Sequence, residues 1–231
     1  MNKTRVLERL KAYGTVQNRK IYARHGMTGK FYGVSYANLG KLRKEIKTDQ
    51  RLAEQLWGSR IKDAQVLATM VADPSAFKAS LLDSWVEDVD CRGIAGAFST
   101  VAAKTRFGKN RMQKWTRSKN TWAKVVGWYM VPDLTRMPGA LTGAECEALL
   151  ETIEDTIQGS GNWVRYAMNN ALIGLGTWAP KLEKQAIAAA RRIGKIEVDH
   201  GETGCKTPDA VTYIPKAAAH ARKQATKHKR G

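Results

Sequence analysis

Four segments of the chain share one pattern: each opens with a polar residue, carries a cation within five positions and then becomes small and apolar. They begin at Arg60, Asp90, Asn120 and Asn162, so consecutive starts lie 30, 30 and 42 residues apart. These spacings are close to the period of HEAT-like helix pairs, in which each repeat buries its apolar side against the next. A polar first turn also occurs in helices that belong to no repeat, and that simpler explanation stays open.

The remainder of the chain also has helical periodicity. Sustained period-2 alternation and Asn-Gly hairpin turns are absent from the sequence, which disfavours strands. The predicted helices are 4–13, 16–24, 35–47, 50–57, 60–71, 74–86, 90–104, 110–117, 120–130, 142–158, 162–178, 180–193 and 207–224. We therefore predict an all-α fold, a HEAT-like helical-repeat solenoid with a basic concave face. Its single domain would span 1–226, followed by a basic C-terminal tail at 227–231.

The charge balance narrows the class of partner. The chain has 39 Lys and Arg against 21 Asp and Glu, a formal net charge of +18. Such a charge favours nucleic acid or an anionic membrane surface. No apolar run is long enough to span a bilayer, and no apolar signal core follows Met1. We expect a soluble cytoplasmic protein, associated with the nucleoid, that binds nucleic acid and no membrane.

Cysteine and histidine spacing gives little support to a metal site or a disulfide framework. The three cysteines, Cys91, Cys146 and Cys205, are far apart in sequence and form no CxxC pair. The segment 199–210 contains Asp199, His200, Glu202 and Cys205, which are conceivable metal ligands. Its two glycines favour a tight loop that ends at a helix cap, and we expect neither metal nor cofactor.

An acidic cluster at 83–90 borders a long segment without acids. Residues 91–132 contain no Asp or Glu but nine Lys or Arg. A polyanion would be drawn to this segment, and a carboxylate beside it would stabilise a cation that develops on a sugar as a glycosidic bond breaks. Asp90 is the first candidate for that role and Asp88 its competitor. The alternative is that Asp90 only caps the helix that follows it.

Several other side chains complete the candidate site. Trp85 and Trp122 are aromatic candidates for stacking on a base or sugar, while Trp128 is expected in the core. Asn169 and Asn170 are amides in an apolar helix and therefore need partners or a function. The cations expected to contact phosphates are Arg60, for which Lys62 is the alternative, Arg92, Lys104, Arg106, Lys109, Arg111, Lys114, Lys124 and Arg165.

Five stretches resemble the bacterial DNA alkylation repair family of HEAT-like repeat DNA glycosylases, the AlkD-like superfamily. They are YGVSYANLGKLRKEI from Tyr32, EDVDC around Asp90, SKNTWAKVVGWYMV from Ser118, VRYAMNNALIGLG from Val164 and VDHGETGCKTPDAVTYI from Val198. The resemblance covers the chain from about Tyr32 to the last helix. It implies a basic concave face that grips duplex DNA, and an aspartate with two tryptophans where an N3- or N7-alkylated purine is released.

Matched residue by residue, the resemblance is incomplete at the site. The family's aspartate corresponds to Asp90, and its basic residue after a tryptophan to Lys124. Its two tryptophans fall on Val86 and Asn170, with Trp85 one position away. The hypotheses are therefore a monomeric DNA glycosylase for alkylated purines, whose catalytic site contains Asp90, Trp85, Trp122 and Asn170; a non-catalytic module that recognises unusual DNA structure; or a HEAT-like protein-interaction scaffold.

Overall fold

The computed structural model describes residues 1–228, the last three by their backbone alone, and within them the chain is helical. Thirteen α-helices and two 3-10 helices, Pro74–Ala76 and Pro180–Leu182, make up the regular structure of this range. The α-helices are α1 (Lys3–Tyr13), α2 (Val16–Arg24), α3 (Tyr36–Ile46), α4 (Gln50–Trp57), α5 (Lys62–Val71), α6 (Ala79–Glu87), α7 (Arg92–Ala103), α8 (Gly108–Thr116), α9 (Thr121–Arg136), α10 (Gly143–Thr156), α11 (Asn162–Trp178), α12 (Glu183–Ile193) and α13 (Ala210–His228). Between residues 1 and 228 the only extended pairings are two isolated bridges, Gly14 with Val34 and Lys30 with Ile61.

Side-chain caps fix many of the helix starts that the sequence predicts. Ser35 accepts a hydrogen bond from the backbone N–H of Asn38 at the start of α3. Thr142 and Glu145 form a reciprocal capping box at the start of α10. Each cap satisfies an N–H that the first helical turn leaves unpaired, so the helix begins where the capping residue stands.

Two predicted helix limits that involve proline are wrong. The segment from Pro74 forms only a 3-10 turn, because Asp73 binds the N–H of Ser75 and the buried Phe77 adopts an extended backbone. Helix α9 does not end at Met130 but continues through Pro132 to Arg136. Gly174 makes room for that proline, since a Cβ at Gly174 would lie only 2.7 Å from Cβ of Pro132.

The chain forms two compact units. Unit 1 contains Met1–Phe107 and His200–Gly204. Helix α5 lies at its centre, packed against α4, α3 and α7. Eight of the ten residues of α5 are buried, including the charged Lys62 and Asp63 at its first turn. Buried charges require partners, and those of Lys62 and Asp63 define the candidate site below.

Unit 2 contains Gly108–Asp199 and, within the described part of the chain, residues 205–228. Helices α9 and α11 form its centre, with α8 against α9 and with α12 and α13 against α11. Two glycines permit the close packing: a Cβ at Gly127 would lie 2.6 Å from the backbone nitrogen of Thr116, and Gly174 meets Pro132. Trp115 and Trp128 are both buried in this unit, which confirms the expectation for Trp128.

The four similar segments coincide with α5, α7, α9 and α11. Helix α5 follows α4 as a hairpin and α9 follows α8 in the same way, while α5 packs on α7 and α9 on α11. These contacts are those of HEAT-like helix pairs, so the predicted all-α repeat fold is confirmed. The single-domain assignment and the concave face stay predictions. The tail predicted at 227–231 begins inside α13, and its residues 229–231 lie outside the described part of the chain.

Candidate nucleic-acid interface

Asp90 lies immediately before the N-terminal end of α7, in unit 1, and forms a two-pronged ion pair. Nζ of Lys62 lies 2.6 Å from Oδ1 and 2.7 Å from Oδ2 of Asp90. The Lys62 side chain is 5% exposed and that of Asp90 is 49% exposed. Helix α7 begins after Cys91 without a side-chain cap, so Asp90 is not the cap of this helix. Its carboxylate is instead the counter-ion of a buried lysine.

The carboxylate of Asp88, the competing candidate, is largely buried in unit 1 and already has two partners. Its Oδ2 accepts a hydrogen bond from Nε1 of Trp57 at 2.8 Å, and its Oδ1 pairs with the guanidinium of Arg60. The carboxylate is 14% exposed, whereas the Arg60 side chain is 63% exposed. Asp88 therefore ties α4 to the end of α6, and Arg60 keeps one exposed face for a phosphate.

Trp85 belongs to the core of unit 1 and does not form a ligand surface. Its ring stacks on that of Trp57, with centroids 4.2 Å apart and planes 2° from parallel, and the edge of Phe77 covers it at 5.1 Å. Only 3% of Trp85 is exposed. The expectation that Trp85 contacts a base is therefore corrected: its ring is fully used in aromatic packing.

Asp63 is a site residue that reasoning from the sequence alone did not select, and Lys62 is predicted from the sequence only as the alternative to Arg60. The carboxylate of Asp63 accepts the backbone N–H of Tyr32 at 2.6 Å and that of Val34 at 2.7 Å, so it fixes the loop before α3. A usable signal for Lys62 existed, because it precedes Asp90 by 28 residues, about one repeat. Helix α5 packs on α7, and this packing brings the first turn of α5 close to the residue pair that precedes α7.

The cations of residues 91–132, here called the acid-free segment, differ in solvent exposure and in their pairing with carboxylates. Within unit 1, Lys104 and Arg106 are exposed. Within unit 2, Lys109 pairs with Glu145 at 2.7 Å, Lys114 is exposed, and Arg111 and Lys124 are half-buried. Arg92 is half-buried at the start of α7 in unit 1. Most of the predicted phosphate contacts therefore remain accessible, while Lys109 already has a carboxylate partner.

Trp122 and Lys124 occupy the first turn of α9. Asn120 caps this helix by accepting the N–H groups of Trp122 at 2.9 Å and of Ala123 at 3.0 Å. The Trp122 ring is half-exposed, unlike the buried rings of Trp115 and Trp128. Trp122 is thus the aromatic candidate of the sequence that keeps surface for a ligand.

Arg165 and the two asparagines of α11 donate hydrogen bonds to backbone carbonyls within unit 2. Arg165 donates to the backbone carbonyls of Glu197, Gln158 and Ser160 at 2.9–3.0 Å, so its predicted phosphate contact is corrected to a structural clamp. Asn169 is fully buried and donates to the carbonyl of Pro208 at 2.9 Å. Asn170 is half-buried and donates to the carbonyl of Tyr166, one turn earlier in the helix.

The two ends of the segment at 199–210 have a structural explanation in unit 2, whereas its residues His200–Gly204 belong to unit 1. Asn162 binds both the N–H and the carbonyl of Asp199, at 2.7 and 2.8 Å. Helix α13 begins after Asp209, whose carboxylate accepts the N–H of Val211, so the predicted start at Thr207 is two to three residues early. Among residues 1–225, whose side chains the structure describes, no three His, Cys, Asp or Glu side chains form a group that could hold a metal ion. No helix of this range is long and apolar enough to cross a membrane.

An all-α HEAT-like repeat protein with a large excess of cations is the class that the fold and the charge define. Within that class the family is clear: a sequence model described as "DNA alkylation repair enzyme" matches residues 6–214. The chain therefore belongs to the DNA alkylation repair enzyme family, and the resemblance read from the sequence is confirmed.

Individual relatives match most of the chain. The chain is 30% identical over 211 residues to the uncharacterized protein Lin0241 of Listeria innocua, and 28% identical over 211 residues to the uncharacterized protein Lmo0209 of Listeria monocytogenes. Both matches cover 86% of this chain and 89% of the relative. A solved structure with a TM-score of 0.88 and 26% identity covers 96% of each chain. It represents a new family of proteins related to the HEAT-like repeat DNA glycosylases with affinity for branched DNA structures.

Proposed function

We propose that this protein binds DNA, with a preference for branched DNA, and does not excise bases. The observation that carries the proposal is the ion pair in which Lys62 contacts both oxygens of Asp90. Excision of an alkylated purine leaves positive charge on the sugar, and the family's aspartate would balance that charge. Here the charge of Asp90 is already balanced by a buried ammonium group.

The aromatic positions support the same conclusion. The resemblance places the family's two tryptophans at Val86 and Asn170. Val86 is 5% exposed, and the amide of Asn170 binds its own helix. Trp85, the nearest ring in sequence, is stacked in the core of unit 1. Neither position therefore supplies an aromatic surface beside an alkylated base.

DNA binding itself is supported by the positive charge of the chain and by its similarity to a DNA-binding structural relative. The acid-free segment contributes nine cations, most of them exposed or half-exposed, and phosphate neutralisation by such side chains dominates DNA affinity. The structural relative at TM-score 0.88 has affinity for branched DNA structures. We carry that preference over to this chain as part of the proposal.

The test combines binding and excision. The purified protein is titrated into a four-way junction, a flap and a linear duplex of matched length, and is incubated with a duplex that contains N7-methylguanine. We expect tighter binding to the branched substrates and no release of the methylated base. The variant Asp90→Asn, and the double variant Lys62→Met/Asp90→Asn, should keep the binding preference. Equal affinity for the linear duplex, or base release by the wild type, would contradict the proposal.

A second candidate function is excision of alkylated purines. One observation favours it: Asp90 keeps 49% of its side chain exposed while Lys62 is buried, so the ion pair holds a carboxylate at the surface in a fixed position. This candidate predicts release of N7-methylguanine by the wild type and its loss in Asp90→Asn. The excision assay above therefore separates the two functions.

A further inference from the structure

A groove runs over unit 1 where α3, α5 and α7 lie side by side. Its volume is about 670 Å³, and none of the side chains that line it is acidic. Arg43 and Lys104 are its cations, and Thr69 and Thr100 add hydroxyl groups. A groove of this size and polarity is large enough for a nucleotide-sized ligand.

Two glycines in the groove have no packing explanation. Gly40 lies in the middle of α3 and Gly96 in the middle of α7, although glycine is a poor helix former. A Cβ added to either would meet no atom within 4 Å. Gly127 and Gly174, two helical glycines of unit 2, differ, because a Cβ at either would come within 3 Å of a neighbouring helix. Bare backbone without a packing neighbour suits close approach of a ligand.

The cations of the groove are available to an anion. Arg43 and Lys104 are both exposed. Among the residues that the structure describes, neither forms a salt bridge with a carboxylate. With no acid in the lining, the groove is complementary to a phosphodiester backbone.

Tyr36 links this groove to a second, smaller cavity in the same unit. Tyr36 is 58% exposed as a residue, and both Tyr36 and Val66 line the groove and the cavity. The cavity measures about 300 Å³ and has apolar walls from Ile21, Val34 and Leu39. Its polar groups are Tyr22, His25, Arg92 and the carboxylate of Asp63. Tyr22 donates to the carbonyl of Val34 at 2.8 Å, and Asp63 binds the N–H of Val34, so this wall is held in place.

We infer that the groove binds an unpaired stretch of a DNA strand. Arg43 and Lys104 contact its phosphates, the backbone at Gly40 and Gly96 lets the strand approach closely, and one base stacks on Tyr36 at the mouth of the cavity. This inference rests on the proposed DNA binding and extends it, because it identifies unpaired nucleotides as the feature that the protein recognises at a branch.

The test uses two substituted proteins and a matched control. Gly96→Leu fills the groove from a helical position, and Tyr36→Leu removes the stacking ring from an exposed position. Gly143→Leu is the control, since Gly143 lies in the first turn of α10 and its Cβ would also meet nothing within 4 Å. Thermal unfolding of each variant checks that it folds; because Tyr36 is exposed, its variant remains informative even if Gly96→Leu fails to fold.

The probes are an oligothymidylate strand and a pair of three-way junctions, one fully paired and one with unpaired thymidines at the branch. We expect the wild type and Gly143→Leu to prefer the junction with unpaired thymidines. Tyr36→Leu and Gly96→Leu should bind that junction and the single strand about tenfold more weakly, within the range that loss of one base stack produces. Their affinity for the fully paired junction should stay unchanged.

Failure of this inference can be distinguished from failure of the proposed function. If the wild type binds branched DNA but both variants bind the single strand and the unpaired junction as well as the wild type does, the inference is wrong and the proposed function stands. A wild type that binds no DNA at all would overturn the proposed function as well.

Discussion

Two effects disfavour the positive charge on the ammonium group of Lys62. The side chain is 5% exposed, so the charge is largely desolvated, and Lys62 is the first residue of α5, where the helix dipole is positive. Asp90 offsets both effects with two short contacts. The aspartate that the sequence suggests for chemistry is thus also the partner that stabilises a buried charge of unit 1.

A double-mutant cycle tests this pairing. Asp90→Asn should lower the free energy of unfolding by about 2 kcal/mol, less than the ~3–5 kcal/mol typical of fully buried pairs, because Asp90 is half-exposed to water. Lys62→Met removes the buried charge, so Asp90→Asn should have little effect in that background. Urea unfolding of the four proteins measures the coupling. Additive effects of the two substitutions would show that the ion pair contributes nothing to stability.

For single residues, the sequence predicts which side chains are candidates for the site better than it predicts which groups they contact. The end of the acidic cluster singles out Asp90, and Trp122, proposed from the sequence as a stacking candidate, is half-exposed while that role stays a prediction. The stacking of Trp85 on Trp57 and the contact between Asp88 and Trp57 are not predictable, because they depend on how α4 meets α6. Likewise, the three carbonyls around Arg165 come from segments that only the fold of unit 2 brings together.

Helical glycines divide into two classes with opposite expected effects on stability. Gly96→Ala and Gly40→Ala should stabilise the protein by about 0.5–1 kcal/mol, since alanine favours helix and the new methyl group meets no atom. Gly127→Ala should destabilise it by about 1–3 kcal/mol, because the Cβ would lie 2.6 Å from the backbone nitrogen of Thr116. Denaturant midpoints measure all three. Destabilisation by Gly96→Ala would mean that the groove is closed by packing.

The capping box of α10 predicts a pH dependence for unit 2. The hydrogen bond from Lys109, followed by that from the backbone N–H of Thr142, lowers the pKa of Glu145 below its ordinary value of 4.5. A carboxyl whose pKa is lower in the folded state stabilises the protein above its unfolded pKa, and that contribution is lost as pH falls through the folded value. Glu145→Gln should therefore lower the melting temperature at about pH 6, and the difference from the wild type should shrink toward about pH 3.

Glu147→Gln is the matched control for that experiment. Glu147 is exposed on the same helix and takes no part in the capping box. The variant removes the same charge, so its melting curve should follow the wild type across the pH range. A pH-independent effect of Glu145→Gln would contradict the assignment of the stabilisation to its ionised form.

Helices are predictable where a local signal ends them and unpredictable where packing decides. Caps at Ser35 and Thr142 place the starts of α3 and α10 within a residue. Proline misleads at Pro74 and Pro132, because a buried Phe77 breaks one predicted helix and Gly174 permits the other to continue. In both cases tertiary packing decides where the helix ends: Phe77 is buried in the core, and Gly174 packs against Pro132.

For the whole molecule, the repeat period and the charge were the most informative properties of the sequence. The 30-residue spacing predicts the fold class, and the family match over 6–214 agrees with it. The net charge of +18 favours a polyanion but carries no information about which cations contact it. Distinguishing general attraction from specific contact requires variants of equal charge.

Salt dependence makes that distinction. Each phosphate contact contributes about 0.9 to the slope of log affinity against log salt on duplex DNA. The triple variant Lys104→Gln/Lys114→Gln/Lys124→Gln should therefore reduce the slope by about 2 to 3. The control Lys181→Gln/Lys184→Gln/Lys223→Gln removes three exposed lysines from outside the acid-free segment, so both proteins lose three charges from +18. If the control lowers the slope equally, net charge alone attracts the DNA; if it keeps the wild-type slope, the acid-free segment is where the phosphates bind.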